Sequence, residues 1–91
     1  QRFDGVVVTN FLQRDILGNI CDAVTPGGLL LYETFGTGNE TYGRPRNSKF
    51  LLKPGELIKT VRANFDILGF EHGLRRIPSP AIIQRVAAVK R

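Results

Sequence analysis

Apolar residues gather in four short dense runs along this chain, and between the runs they recur at helical spacing. The first run, Val6–Val8 within FDGVVVTNFL (residues 3–12), shows no apolar/polar alternation. That pattern predicts a strand covered on both faces. Ile16, Leu17, Ile20, Cys21 and Val24 then fall on one helical stripe, with Arg14, Asp15, Asn19 and Asp22 off it. TPGG (25–28) stops this helix, because proline cannot continue it and the glycines allow a tight return. LLLYETF (29–35) is a second strand, equally free of alternation in its first half. Pro54 suits the first turn of a second helix and Glu56 its positive end. Leu57, Ile58, Val61 and Phe65 form its apolar face, and Asn64 is its stop. FDILGFEH (65–72) is the third strand, GLRRIPSP a connector, and AIIQRVAAVK (81–90) a last strand dense enough in apolar residues to be central. Right-handed crossovers make the first pairs parallel, and the short final connection favours an antiparallel return. The expectation is one small α/β domain over residues 1–91, in the order β-α-β-loop-α-β-β.

The remaining long segment, GTGNETYGRPRNSKFLLKP (36–54), is polar and rich in glycine and proline. Connections of this length inside compact domains are usually functional or disordered. The chain carries 13 Lys and Arg against 8 Asp and Glu, a formal charge of +5. Arg44, Arg46, Lys49 and Lys53 lie in this loop, where Glu40 is the only acid. Such a loop attracts an anionic substrate or nucleic acid. The plainer reading, a solvated face with no nucleic-acid partner, is preferred.

Candidate chemistry is sparse. Gly36-Thr37-Gly38 follows a strand, but position 41 is Thr41 and YGRPRN replaces the helix that phosphate binding requires. A lone cysteine, Cys21, rules out an intrachain disulfide and points to a reducing, cytoplasmic setting. Cys21 itself reads as a small buried helix residue. The single His72 reads as a partly exposed turn histidine, and without a Cys/His cluster no metal site is expected. Asp4 reads as a solvated strand starter, and Asn39-Glu40-Thr41 as a chance glycosylation match. No stretch is apolar for long enough to span a membrane, and QRFDG lacks signal-peptide character. Thr9, Asn10, Tyr32 and Glu33 share the carboxyl rim of the first two strands, where open α/β sheets bind ligands. No nucleophile–base pair can be assembled, so no catalytic residue is assigned.

FDGVVVTNFL followed by a helix, and then VTPGGLLLYETF, resembles the fourth and fifth strand motifs of class I S-adenosylmethionine-dependent methyltransferases. ETFGTGNETYGRPRN with FLLKPGEL, FDILGFEHG and AIIQRVAAVKR resembles the small bacterial, tellurite-resistance-related members. The resemblance implies a partial Rossmann-like sheet with two main helices. Its four strands would be the family's fourth to seventh, in spatial order 4-5-7-6, the last antiparallel. It implies S-adenosylmethionine as cofactor of a longer parent, with Thr9, Asn10, Phe11 and Leu12 flanking its methionine part. Tyr32, Glu33, Asn39, Tyr42, Arg44 and Arg46 would then face a small-molecule methyl acceptor. The family's glycine-rich loop and ribose-binding acid are not among these residues. The chain is therefore expected to be the carboxyl-terminal half of a methyltransferase, inactive alone, whose first strand lacks its neighbour. The alternative is a non-enzymatic assembly module, a homodimer joined through the strand edge at residues 5–10. A weaker third reading, an RNA-modifying enzyme, rests on the basic loop alone.

Overall fold

The computed structural model describes residues 1–91. Its strands are β1 (Phe3–Thr9), β2 (Val24–Phe35), β3 (Phe65–Arg75) and β4 (Ala81–Lys90). Its helices are α1 (Leu17–Asp22), entered through a 3-10 turn at Arg14–Ile16, and α2 (Glu56–Val61). They form one four-stranded sheet in the order β1-β2-β4-β3. β1 pairs with β2 in parallel, and β4 runs antiparallel to both β2 and β3. The expected order, with an antiparallel last strand inserted between its predecessors, is thus the one observed. No helix is long and apolar enough to cross a membrane.

Within these 91 residues the strands are covered on one face only. Both crossovers step across the sheet in the same direction, so crossovers of one hand lay α1 and α2 on the same face. That face carries the core: Leu30, Tyr32, Val86 and Ala88 from the sheet meet Leu17, Leu57 and Val61 from the helices. Val6 and Val8 pack against it, whereas Val7, between them, is 69% exposed on the bare face. The alternation that the valine run conceals is therefore present in the packing.

The boundaries differ where backbone bonding overrides side-chain periodicity. Both helices are only six residues long; Val24 and Phe65, assigned to helical stripes, begin β2 and β3 and are buried there. TPGG lies within the irregular start of β2: Phe3 pairs with Val24 and Gly5 with Leu29, so residues 25–28 bulge out of the ladder. Gly28 makes this possible, since a Cβ there would stand 2.8 Å from the Asp4 carbonyl oxygen. Asp4 accepts a hydrogen bond from the Thr25 hydroxyl at 3.0 Å, which ties the bulge to β1. The helix ends are held by basic side chains, as their carbonyl dipoles favour. Lys90 Nζ donates to the Cys21 carbonyl at 2.7 Å, and Arg91 donates to the carbonyls of Arg62, Ala63 and Phe65.

One-sided packing predicts a sharp contrast between neighbours. Leu30 is fully buried, and Leu30→Ala should lower the stability by about 2–5 kcal/mol. Leu31, 38% exposed on the bare face, should lose less than about 1 kcal/mol on the same change. Urea midpoints of the two variants check this; equal losses would contradict the one-sided core.

Candidate functional site at the carboxyl rim of the parallel strands

β1 and β2 end side by side. Thr9 is in register with Glu33, and the Asn10 N–H donates to the Glu33 carbonyl at 2.9 Å, the last bond of the pair. Asn10 then turns the chain with a left-handed φ of 54°, a conformation that asparagine tolerates better than most residues. The turn is pinned from below. Tyr32, buried on the helix-covered face, donates its hydroxyl to the Phe11 carbonyl at 2.6 Å. Burial, with a smaller contribution from Cys21, pushes the Tyr32 phenol up to about 12, so it stays a donor at any physiological pH. Leu12 enters the core, while Phe11 remains exposed.

The long connection is ordered against this rim. It contains two 3-10 turns, at Asn39–Thr41 and Ser48–Phe50, and a parallel bridge between Gly36 and Leu52. Leu51 and Leu52 are buried. Asn39, 1% exposed, accepts from the Ile82 N–H at 3.0 Å and donates to the Pro45 carbonyl at 3.1 Å. Gln84 has no exposure at all, and its side-chain amide joins three segments. Its oxygen accepts from the Leu57 N–H at 2.8 Å, and its nitrogen donates to the Lys53 carbonyl at 2.8 Å and to His72 Nδ1 at 2.9 Å. With Nδ1 accepting, the His72 ring donates from Nε2 to the Thr37 carbonyl at 3.2 Å. His72 is partly exposed, as expected, but it lies within the edge strand β3 and not in a turn. Gly36 serves this packing, because a Cβ there would lie 2.5 Å from the imidazole Cε1.

Arg14 clamps the outer end of the loop. It donates to both carboxylate oxygens of Glu56, at 2.7 and 3.0 Å, and to the carbonyls of Lys49 and Leu51, at 2.7 and 2.8 Å. The hydrogen bond from Arg14 is the main reason that the Glu56 carboxyl lies below its ordinary range; the Lys53 N–H adds to it and burial opposes it.

The structure places the expected site residues in different surroundings. Asn10, Leu12 and the loop residues Pro45 and Phe50 line a small recess of about 200 Å³, together with Thr34 and Phe35. Arg44 and Arg46 line a second, open recess with Pro45, Asn47 and Phe50, so the two share a border. Tyr42 is exposed on the loop. The amide of Asn39 and the hydroxyl of Tyr32 are engaged in holding the rim in place, a supporting task in the resting structure. Thr9 and Glu33 point to the opposite, bare face, in a row that runs on through Arg85 to Glu71. Glu33 lies 3.3 Å from Arg85 Nε and 3.4 Å from Arg75 Nη1, and Arg85 also meets Glu71 at 3.0 Å. Sharing a rim thus did not mean sharing a face: Tyr32 and Glu33 diverge by the strand's own alternation.

Pro45 and Phe50 were not among the expected site residues. The signal available was Phe50 flanked by Lys49 and Leu51 in an otherwise polar loop; its position over the rim depends on the Arg14 clamp, which no local pattern announces. The residues present do not enclose S-adenosylmethionine, the cofactor that the resemblance implies. Asn10 and Leu12 border a recess of about 200 Å³, below the roughly 300–1,000 Å³ of small-molecule sites, whereas Thr9 lines a groove on the bare face and Phe11 lines neither, so the four do not meet in one cavity.

The sheet order defines a small mixed α/β fold, a partial Rossmann-like sheet. Among solved structures, the crystal structure of TehB from Haemophilus influenzae matches the whole chain with a TM-score of 0.77 at 17% identity. The chain spans 36% of TehB. At that identity the likeness is one of fold. No family model matches the sequence, and no curated protein matches it.

The clamp gives a pH prediction. Because the folded Glu56 carboxyl titrates below its unfolded counterpart, its stabilising effect is present above the unfolded carboxylate range, near pH ~4.3. It is lost as pH falls through the folded value. The difference in urea midpoint between the native chain and Glu56→Gln should be clear at neutral pH and should close on acidification toward pH ~3. A gap that stays constant would mean that Glu56 acts through packing alone.

Proposed function

We propose that this chain forms the carboxyl-terminal part of an S-adenosylmethionine-dependent methyltransferase acting on a small-molecule acceptor, and that it is inactive by itself. The observation that carries the reading is topological. The order β1-β2-β4-β3 with β4 antiparallel matches the order 4-5-7-6 implied by the sequence resemblance, and the whole chain superposes on part of TehB. In this reading the Asn10–Leu12 turn lies beside the methionine part of the cofactor. The loop bearing Tyr42, Arg44 and Arg46 stands on the acceptor side, Phe50 and Pro45 join it, and Asn39 holds it up. Alignment of a bound acceptor rather than proton transfer is the service such a rim provides. That fits a site with no nucleophile–base pair.

The experiment is calorimetric. S-adenosylmethionine is titrated into the 91-residue chain, and into the same chain translated together with whatever its gene encodes before Gln1. Binding is expected only for the longer product, and no labelled methyl transfer from the 91 residues alone. A longer product that ignores the cofactor, or transfer by the short one, would overturn the proposal.

A second reading, a homodimer through the β1 edge, is favoured by one specific observation. Beyond Asp4, the stretch Gly5–Thr9 of the border strand carries no charge, and Val7 stands exposed on it. Edge strands normally carry charges or proline against such pairing. Light scattering on the 91-residue chain should show a dimer that Val7→Lys dissociates; a monomer at high concentration excludes this assembly.

A further inference from the structure

We infer that the paired recesses at the rim bind a small organic anion, its apolar body against Phe50 and Pro45 and its anionic group on Arg44 and Arg46. This rests on the methyltransferase reading only in naming that anion as the acceptor class; the binding geometry stands on its own.

Of the nine arginines, Arg2, Arg44, Arg46, Arg62 and Arg76 carry no ion pair, and what distinguishes Arg44 and Arg46 among these five is that they border one recess together. Arg14, Arg75, Arg85 and Arg91 are each paired with a carboxylate. Arg44 and Arg46 have no carboxylate within reach, although they flank a single residue, Pro45, and border the same recess. The nearest acid in sequence, Glu40, turns its carboxylate back to the Gly38 N–H at 2.8 Å. Two guanidiniums held without counter-charge form a positive focus, and their planar donors suit carboxylate or phosphate oxygens.

The loop that presents them is tethered from both sides. Asn39 binds the Pro45 carbonyl, between the two arginines, and Arg14 binds the Lys49 carbonyl next to Phe50. A ligand therefore need not order the loop on binding, which lowers the cost of association. Charge alone does not describe the site. Pro45 and Phe50 also border the smaller recess, where Leu12 and Phe35 add apolar wall beside the polar Asn10 and Thr34. A molecule lying across the shared border would meet apolar carbon at the sheet end and cations at the outer end. At about 200 Å³ the apolar end admits a compact ring or short chain, not a nucleobase-bearing polymer. An inorganic oxyanion would leave that end unused.

Benzoate, benzamide, inorganic phosphate and a single-stranded RNA oligomer serve as probes in amide chemical-shift titrations of the 91-residue chain. Benzoate should bind saturably, shifting the amides of Phe11, Leu12, Asn47 and Phe50. Arg44→Gln with Arg46→Gln should weaken it about tenfold or more, the loss expected for charge-assisted hydrogen bonds, with the rest of the spectrum unchanged. Lys59→Gln, on the exposed side of α2, should leave it unaltered. Benzamide binding as well as benzoate would remove the anionic half of the inference. Phosphate binding as tightly at the same residues would remove the apolar half. Salt-sensitive RNA binding tighter than either, or no benzoate binding, would overturn it outright. Cofactor binding by the longer product is independent of these variants, so the two proposals fail separately.

Discussion

The arrangement depends on one buried side-chain amide. Gln84 lies on β4, the strand inserted between β2 and β3, and without solvent contact it must find every partner within the protein. It finds the Leu57 N–H at the start of α2, the Lys53 carbonyl at the end of the long loop, and His72 on β3. Each partner would otherwise be an unmet polar group at or near the interior, at a cost of about 1–3 kcal/mol apiece when buried. The amide therefore sets where the loop ends and where the second helix begins. Through His72 it also reaches Thr37, so both ends of the loop are referred to the same strand. A loop fixed at both ends, with Asn39 as a second peg in its middle, displays its side chains from a defined platform.

The topology was legible because it follows from few rules. Run density marked 81–90 as central, and the order with its antiparallel member followed from the resemblance; both agree with the observed sheet. Faces were not legible. Three consecutive valines carry no parity, so only the side on which the helices fall decides that Val6 and Val8 are inside and Val7 outside. The same blindness separated Tyr32 from Glu33. Glu33 drew attention as a rim acid, yet Arg85 and Arg75, more than forty residues away, take up its carboxylate. That pairing needs the register of three strands, which no local window contains. The loop taught the converse lesson. Its composition reads as solvated, whereas Leu51, Leu52 and Asn39 are among the buried residues, because the ridge formed by Arg14, Glu56 and Gln84 draws them in.

The bare face has a graded character that bears on what the fold is for. Val7, Leu31, Ala87 and Gly69 make one row across the four strands, and Thr9, Glu33, Arg85 and Glu71 make the next. The first row is apolar and partly exposed. The second is an alternating charge ladder, opposite signs in direct cross-strand register, which is the favourable arrangement for a sheet surface. Arg75 Nε is buried beside this ladder without an acceptor. A face finished for solvent would carry polar groups in both rows, and its guanidiniums would keep their donors in water. Neither condition holds here. The apolar row ends on Val7 in the border strand β1, so the bare face and the strand edge form one surface.

That continuity separates the two unsatisfied regions of the molecule. The bare face and the β1 edge offer apolar contact and backbone pairing, which in the assembly reading proposed above a second copy would take up. At the rim, Arg44 and Arg46 border an open recess without a paired carboxylate, and a smaller recess of about 200 Å³ adjoins it. They also lie on opposite sides of the sheet's alternation. Leu12, Tyr32 and Val86 on the helix side support the rim, and Val7, Leu31 and Ala87 form the bare side. Completion of the sheet can therefore proceed without covering Arg44 and Arg46, and occupation of the rim does not require the sheet to be complete. The two proposals, a small anion at the rim and a second copy at the strand edge, therefore concern separate surfaces of the molecule.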